Sequence, residues 1–300
     1  MSLTLGFVGI GRMGNPMTRR LLAAGHSVYI YDPSSAAMDA LAEAGAHPAA
    51  SPAEVASNAQ IVLLSLPTPD IVKKVALGDG GLSEGKGLRI VIDLSTSGPR
   101  GAQALAEGLA AYGVATADSP VSGGVAGAES GKLSLMTACA PEVFDEIRPI
   151  LECFGRVNHV GDRPGQAQLI KVINNLMSVT ALAVASEGCV LAQKAGVDPA
   201  KLMEVVNSGS GRSNASEDKI PKYVLTRNFD FGFALALSAK DARLCLDEAD
   251  ALGVPMMVGS AARQLLLATK GQFGEDGDLT EMVRTIETWA GVQVRGGTIG

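Results

Sequence analysis

Phe7-Val8-Gly9-Ile10-Gly11-Arg12-Met13-Gly14 ends an apolar run, Leu3–Gly9, and opens a helical pattern over Gly14–Ala24. Its glycines fall in the order G-x-G-x-x-G between a strand and a helix. Gly9 permits the tight turn, Gly11 lets the backbone approach a pyrophosphate, and Gly14 lets helix and strand pack closely. The helix N-terminus then faces the anion. Ile10, Arg12 and Met13, which complete the loop, are therefore counted with the three glycines as cofactor-binding residues. A second feature stands 18 residues beyond Gly14: Asp32, at the end of the next strand, Ser27–Tyr31. A carboxylate there accepts hydrogen bonds from ribose hydroxyls and repels a 2′-phosphate. Neither Arg nor Lys occurs in the following Pro33-Ser34-Ser35. NAD is therefore the expected cofactor, with NADP less favoured but left open by Arg12. Asp32 precedes proline and also reads as a turn or cap residue.

Outward from this motif the alternation continues. Strands are expected at Ile61–Leu66, Arg89–Asp93 and Lys132–Thr137, and helices at Ser35–Ala44, Pro52–Ser57 and Pro99–Ala111. Near-continuous apolar strands between helices indicate a parallel sheet covered on both faces. Two further loops, Leu66-Pro67-Thr68 and Asp93-Leu94-Ser95-Thr96, follow strands at their carboxyl ends, where ligands of open α/β sheets bind. Leu66, Pro67 and Thr96 are candidate cofactor contacts on that ground. After Gly165 the character changes. Gln166–Ala195 contains neither Gly nor Pro except Gly188, and reads as one helix of about 30 residues. Gly196 and Asp198-Pro199 look like a C-cap followed by a new N-terminus, and more helices fit Ala234–Leu252, Pro255–Lys270 and Leu279–Ala290. The expected fold is a Rossmann-type doubly wound parallel sheet followed by an all-α domain, with the long helix between them. The boundary is placed in Gly161-Asp162-Arg163-Pro164, giving domains 1–163 and 164–300.

Composition narrows the function. Of 300 residues 36 are glycine, and 25 basic against 31 acidic residues leave a net charge of −6. That balance excludes a strongly basic nucleic-acid-binding domain, and 47% hydrophobic residues exclude disorder. Cys139, Cys153, Cys189 and Cys245 include no C-x-x-C pair, and with three histidines they do not form a metal site. They read as small buried hydrophobes in a reducing compartment. No run of 18 uninterrupted apolar residues indicates a membrane span, and the N-terminus lacks the pattern of a signal peptide. A cytoplasmic protein is expected.

Three further patches carry chemistry. Ser122-Gly123-Gly124, within Asp118-Ser119-Pro120-Val121-Ser122-Gly123-Gly124, offers a hydroxyl and adjacent bare N–H groups able to bind a carboxylate. Alone it also reads as a Gly-Gly turn. Lys171 shares a helical face with Asn174 and Asn175, amid Leu169, Ile170, Val172 and Ile173. Two consecutive asparagines are poor helix formers, and a broken local rule points to function. The third patch is Lys240-Asp241, which alone reads as an exposed ion pair.

Together with Gly6 to Met17, these patches resemble the β-hydroxyacid dehydrogenase family over nearly the whole length. Its members include 3-hydroxyisobutyrate dehydrogenase and tartronate semialdehyde reductase. The resemblance implies that Lys171 is the catalytic residue, that Asn175 and Asn174 orient substrate, and that Lys240 reaches cofactor or substrate. It implies a small carboxylate substrate; a homodimer or homotetramer is expected. The chain departs from the family pattern at Gly165-Gln166-Ala167, which lacks a second glycine. It departs again after Ser210-Gly211-Arg212-Ser213, where Asn214 replaces an aromatic residue and suggests a more polar pocket. Arg212 reads as a solvated loop residue, or as a contact for a second anionic group.

The expected reaction is NAD-dependent interconversion of a β-hydroxy acid with its semialdehyde or keto acid. Ser122, Gly123 and Gly124 would hold the carboxylate while Lys171 exchanges the hydroxyl proton. An apolar surrounding and the nicotinamide cation would draw the lysine toward operating pH. Alternative substrates are tartronate semialdehyde, succinic semialdehyde and sulfolactaldehyde. The related imine reductases generally lack this lysine, and a non-catalytic nucleotide sensor would not need all three patches.

Overall fold

The computed structural model describes residues 2–297. The chain divides into two compact units, residues 1–171 and 172–300.

The first unit runs β1 (Thr4–Val8), α1 (Gly14–Ala23), β2 (Ser27–Tyr31), α2 (Ser35–Ala42), β3 (His47–Pro48), α3 (Pro52–Asn58), β4 (Ile61–Leu64) and α4 (Pro69–Leu77). It continues β5 (Ile90–Asp93), α5 (Gly98–Ala110), β6 (Ala115–Asp118), β7 (Val121–Ser122), α6 (Gly124–Ser130), β8 (Leu133–Ala138), α7 (Pro141–Leu151) and β9 (Gly155–Gly161). Among the described residues the sheet order is β3-β2-β1-β4-β5-β6-β8-β7, with β9 on the other side of β8. The pairs from β3 through β6 are parallel. Chain direction across the sheet reverses between β1 and β4, the switch point at which such sheets bind ligands.

Alternation along the central strands builds two cores, one on each face. Phe7, Leu63 and Ile92 join one cluster; Val8, Leu64 and Val91 join the other. Every residue of β4 and β5 is buried, as a sheet covered on both faces requires. The sheet is nevertheless mixed, not wholly parallel: β8 runs antiparallel to β6 and β7. The reason is length. The seven residues of α6 reach about 10 Å, whereas the run from Ala115 to Ser122 is about 26 Å long. The helix cannot carry the chain back to a parallel start, so β8 returns alongside. Three helices of the first unit lie outside the expected set: α4 and α7, each opening with proline at the first turn, and α6, which follows Gly123.

α8 (Gln166–Lys194) crosses from the first unit into the second. It is long and apolar enough to cross a bilayer by length and composition. Val172, Leu176, Val179, Leu182 and Val190, however, are buried in the second unit's core cluster, the place of an ordinary core helix. α9 (Pro199–Ser208) starts as expected, with Asp198 accepting from the Ala200 N–H at 2.8 Å. Then come a π-helix (Ala215–Val224), α10 (Leu235–Ala251), α11 (Met257–Phe273), a 3₁₀ turn (Leu279–Glu281) and α12 (Met282–Ala290). The π-helix was not expected. Pro221 lies inside it, where an α-helix would drive the ring against the Glu217 carbonyl. Wider winding relieves that clash.

Candidate active site

Register brings the loops of the first unit together. Tyr31 pairs with Val8, Val8 with Leu64, Leu64 with Asp93, and Asp93 with Asp118. Five strands thus end in one row, and the segments after them emerge along one sheet edge: Gly9–Gly14, Asp32, Leu66-Pro67, Ser95–Ser97 and Ser119–Gly124.

The glycine-rich loop has three glycines with three separate reasons. Gly9 has φ +88°, and a Cβ there would stand 2.4 Å from the Ser65 carbonyl oxygen. At Gly14 a Cβ would stand 1.9 Å from the Gly9 carbonyl oxygen. At Gly11 it would meet nothing within 4 Å. The protein itself does not demand glycine at 11, so bare backbone there fits the approach of a pyrophosphate. The start of α1 agrees: Met13 supplies no side-chain cap and the first turn holds no acid, so the N–H dipoles suit an anion. Arg12 is exposed, whereas the Ile10 side chain is buried in the core. Asp32 Oδ2 accepts from the Ile10 N–H at 3.0 Å and Oδ1 from the Ser34 N–H at 2.9 Å. It is thus a turn residue that also anchors the loop, and its remaining lone pairs can still take ribose hydroxyls.

Beyond β4, the Leu66 N–H donates to Ser95 Oγ at 2.9 Å, which ties the loops after β4 and β5 together. Asp93 accepts from the Ser95 N–H at 2.9 Å and the Ser97 hydroxyl at 2.7 Å. Gln168, fully buried in the first turn of α8, clamps the same loop. Its Oε1 accepts from the N–H groups of Ser97 and Gly98, and its Nε2 donates to the Ser95 carbonyl at 2.8 Å. Thr96, half-buried, lies inside this clamp.

Asp118 holds the helix end itself. Its Oδ1 accepts from the Gly165 N–H, and its Oδ2 accepts from those of Ala167 and Gln168, all at 3.1 Å. Burial pushes this carboxyl up to about 6, against the downward pull of the Gly165 and Gln168 N–H groups, with Asp93 adding a further push. Ala167, where the family pattern has glycine, is accommodated fully buried. Gly165, at φ +94°, fits against the Pro99 backbone.

Ser122 ends β7. Gly123 and Gly124 follow at φ +129° and +63°, both exposed, conformations that side-chain-bearing residues avoid. Gly123 caps α6 without a side-chain bond. Lys171 is 7% exposed, while its neighbours Ile170 and Ile173 are each 40% exposed. A helix that buries the lysine and shows isoleucine to the surface inverts the usual partition.

In the second unit, Asn175 Nδ2 donates to Asp241 Oδ2 at 2.6 Å, and Asn174 Nδ2 donates to Asn175 Oδ1 at 3.2 Å. Lys240 Nζ lies 3.1 Å from Asp241 Oδ1; the two side chains are only 13% and 4% exposed. This pair is therefore not the exposed ion pair that the sequence alone allowed. Arg212, by contrast, is exposed and paired with Glu217 at 2.6 Å.

Comparison with known proteins gives this geometry a lineage. The family model for the NAD binding domain of 6-phosphogluconate dehydrogenase matches residues 4–161. The model for the NAD-binding of NADP-dependent 3-hydroxyisobutyrate dehydrogenase matches residues 165–286. The chain is 35% identical to 2-(hydroxymethyl)glutarate dehydrogenase of Eubacterium barkeri, covering 99% of each chain. The chain belongs to the β-hydroxyacid dehydrogenase family.

It is also 31% identical to 3-sulfolactaldehyde reductase of Escherichia coli, over 97% of this chain and 98% of that one. The solved 3-hydroxyisobutyrate dehydrogenase of Mycobacterium tuberculosis with L-serine superposes with a TM-score of 0.88 at 29% identity, over 95% and 99% of the two chains. As a member of this family the protein is an NAD(P)-dependent oxidoreductase of hydroxy acids. Sequence reading missed the parts that brace the family's motifs. Asp118 and Asp93 were in view only as ends of quoted stretches, and nothing near Gln168 signals a clamp.

Gly14→Ala should cost about 1–3 kcal/mol in denaturant unfolding, because the added methyl overpacks the turn. Gly11→Ala should stay within about 0.5 kcal/mol of wild type yet weaken NADH binding in a fluorescence titration. Asp118 makes stability pH-dependent. With its folded-state value above the unfolded 3.8, the folded protein keeps the proton longer, so this contribution is full below about pH 4 and is lost as pH rises through about 6. Relative to Asp118→Asn, wild type should therefore lose on the order of 3 kcal/mol between pH 4 and 7 in urea melts; a constant difference across that range contradicts the assignment.

Proposed function

We propose that this protein catalyses the reversible NAD-dependent oxidation of a small β-hydroxy acid, 3-hydroxyisobutyrate-like in its reacting end, to the semialdehyde or keto acid. The observation that carries the reading is Lys171, a buried amine on a helix whose first turn is bonded to the sheet edge through Asp118 and Gln168. A lysine is rarely buried without a task.

The roles follow from chemistry. Ser122 and the bare N–H groups of Gly123 and Gly124 would hold the substrate carboxylate. Such positioning is a large part of the rate enhancement. Lys171 would take the hydroxyl proton in oxidation and return it in reduction. One helical turn further on, Asn175, oriented by Asp241 and thereby by Lys240, would hold the hydroxyl in register, with Asn174 bracing Asn175. Gly9 to Gly14, with Leu66, Pro67 and Thr96, would receive the cofactor, and Asp32 would select NAD. When bound, the nicotinamide accepts or donates the hydride. Sulfolactaldehyde and hydroxymethylglutarate, named for the relatives, are alternative substrates sharing a carboxylate-like anion and a reacting C–O carbon.

Self-association is also proposed. Ile170, Met177, Val184 and Leu191 recur every seven residues on α8, each 40–71% exposed. Such a stripe supports pairing with a second copy of the same helix.

Lys171→Ala should lower turnover by about 100-fold or more, the usual scale of general acid–base catalysis, with NAD binding retained. Near-normal turnover in spectrophotometric assays across a panel of hydroxy acids would remove Lys171 from this role. Asp32→Ser should shift the ratio of kcat/KM for NAD over NADP downward; an unchanged ratio would show that selection lies elsewhere.

A further inference from the structure

Among the described residues, the proposed reaction leaves the buried cation Lys219 unused. Lys219 is 2% exposed. Its Nζ donates to Ser178 Oγ at 3.0 Å and to Asn214 Oδ1, and lies 5.0 Å from the centroid of the Phe231 ring. Both oxygen partners are neutral. The adjacent acid, Asp218, is ion-paired with Lys222 at 2.5 Å. Burial lowers the Lys219 amine from its ordinary range, with Asp218 pulling the other way. A buried charge held by neutral groups alone is expensive, and such a group is a candidate for a functional site.

The backbone is wound to create this arrangement. Residues five apart on an α-helix lie about 140° apart around the axis. The π-helical segment has i→i+5 winding, which brings Asn214 and Lys219 onto one side. Its target also has a direction. Ser178 continues the α8 face that carries Lys171, Asn174 and Asn175, by the three- and four-residue spacing. It stands about 10 Å along the axis from Lys171. Asn214 is exposed and Ser178 half-exposed, so both oxygen partners of the buried ammonium reach the surface. Arg212, the other cation of this loop, points to solvent and is occupied by Glu217.

We propose that Lys219, behind its surface partners Asn214 and Ser178, binds a second anionic group of the substrate. The preferred substrates are then β-hydroxy acids that carry another carboxylate or sulfonate on the arm remote from the reacting carbinol. This rests on the reaction proposed above. Asn214, in place of the family's aromatic residue, is what admits the polar arm.

The test uses a matched pair. 2-(Hydroxymethyl)glutarate repeats the reacting end of 3-hydroxyisobutyrate but ends the other arm in a carboxylate. In the NAD-dependent assay, wild type should favour the diacid in kcat/KM by about tenfold or more. Lys219→Met should reduce that preference by about 30-fold, chiefly through KM, whereas Arg212→Ala should leave the ratio within about threefold. In parallel, the NAD-loaded wild-type enzyme is titrated calorimetrically with glutarate and with butyrate; this arm stands even if Lys219→Met fails to fold. Glutarate should bind about tenfold tighter. Equal affinities, or a substrate preference unchanged in Lys219→Met, would overturn the proposal. Glutarate selectivity that is lost in Lys219→Met, without turnover of either hydroxy acid, would uphold this site and reject the reaction. Turnover of both acids without preference would do the reverse.

Discussion

A helix end leaves its first N–H groups without partners, and α8 begins inside the protein, away from water that could satisfy them. Asp118 resolves this with a single carboxylate that accepts from Gly165, Ala167 and Gln168. Charge-assisted bonds to a helix N-terminus are among the stronger ones available. The cost is a buried anion, visible as a carboxyl pushed to about 6. The return is position. With its first turn fixed to the end of β6, α8 presents Gln168 to the loop after β5 and, one turn beyond Ala167, presents Lys171 at a set height and angle.

The same economy of anions and bare backbone recurs in the first unit. Asp93 organises Ser95 and Ser97, Asp32 organises Ile10 and Ser34, and Asp118 organises α8. Each acid sits at or just after a strand end: Asp93 collects donors from the loop that follows it, Asp32 joins its own turn to the loop after β1, and Asp118 takes its donors from the start of α8. The N-termini of α1 and α6 contrast with this pattern, for neither has a side-chain cap or an acid in its first turn. Carboxylates thus stand where loops are held rigid, and the bare N-termini of α1 and α6 leave N–H dipoles suited to an anion. The glycine-rich character of the chain fits this division: Gly11 and Gly124 face open space, while Gly14 meets protein backbone.

Much of this could be read from residue order. Strands β1, β2, β4 and β5 and helix α1 stand within two residues of where apolar runs and breakers place them. The long helix ends at Lys194, one residue short of expectation. These are local signals: periodicity, proline at a first turn, glycine at a last one. What escaped were features whose causes are distant in the chain. β8 turns antiparallel because α6 is short relative to the strand it would have to retrace. The π-helix arises from a proline interacting with a carbonyl four residues back. Gln168 resembles any helix glutamine until the loop at Ser97 is brought against it.

By itself, then, the sequence determined the cofactor-binding topology, the change to helices after Gly165 and the family, because each is written in short-range spacing that backbone sterics and helix geometry convert directly into structure. Tertiary structure alone decided which polar groups lose water. It buried Lys171 and Lys219, sank the Lys240–Asp241 pair, and left Arg212 outside. Residue type cannot announce that outcome. The same lysine is a solvated surface group or a tuned amine according to the packing of elements remote in sequence, and the free energy of its charge follows the surroundings it receives.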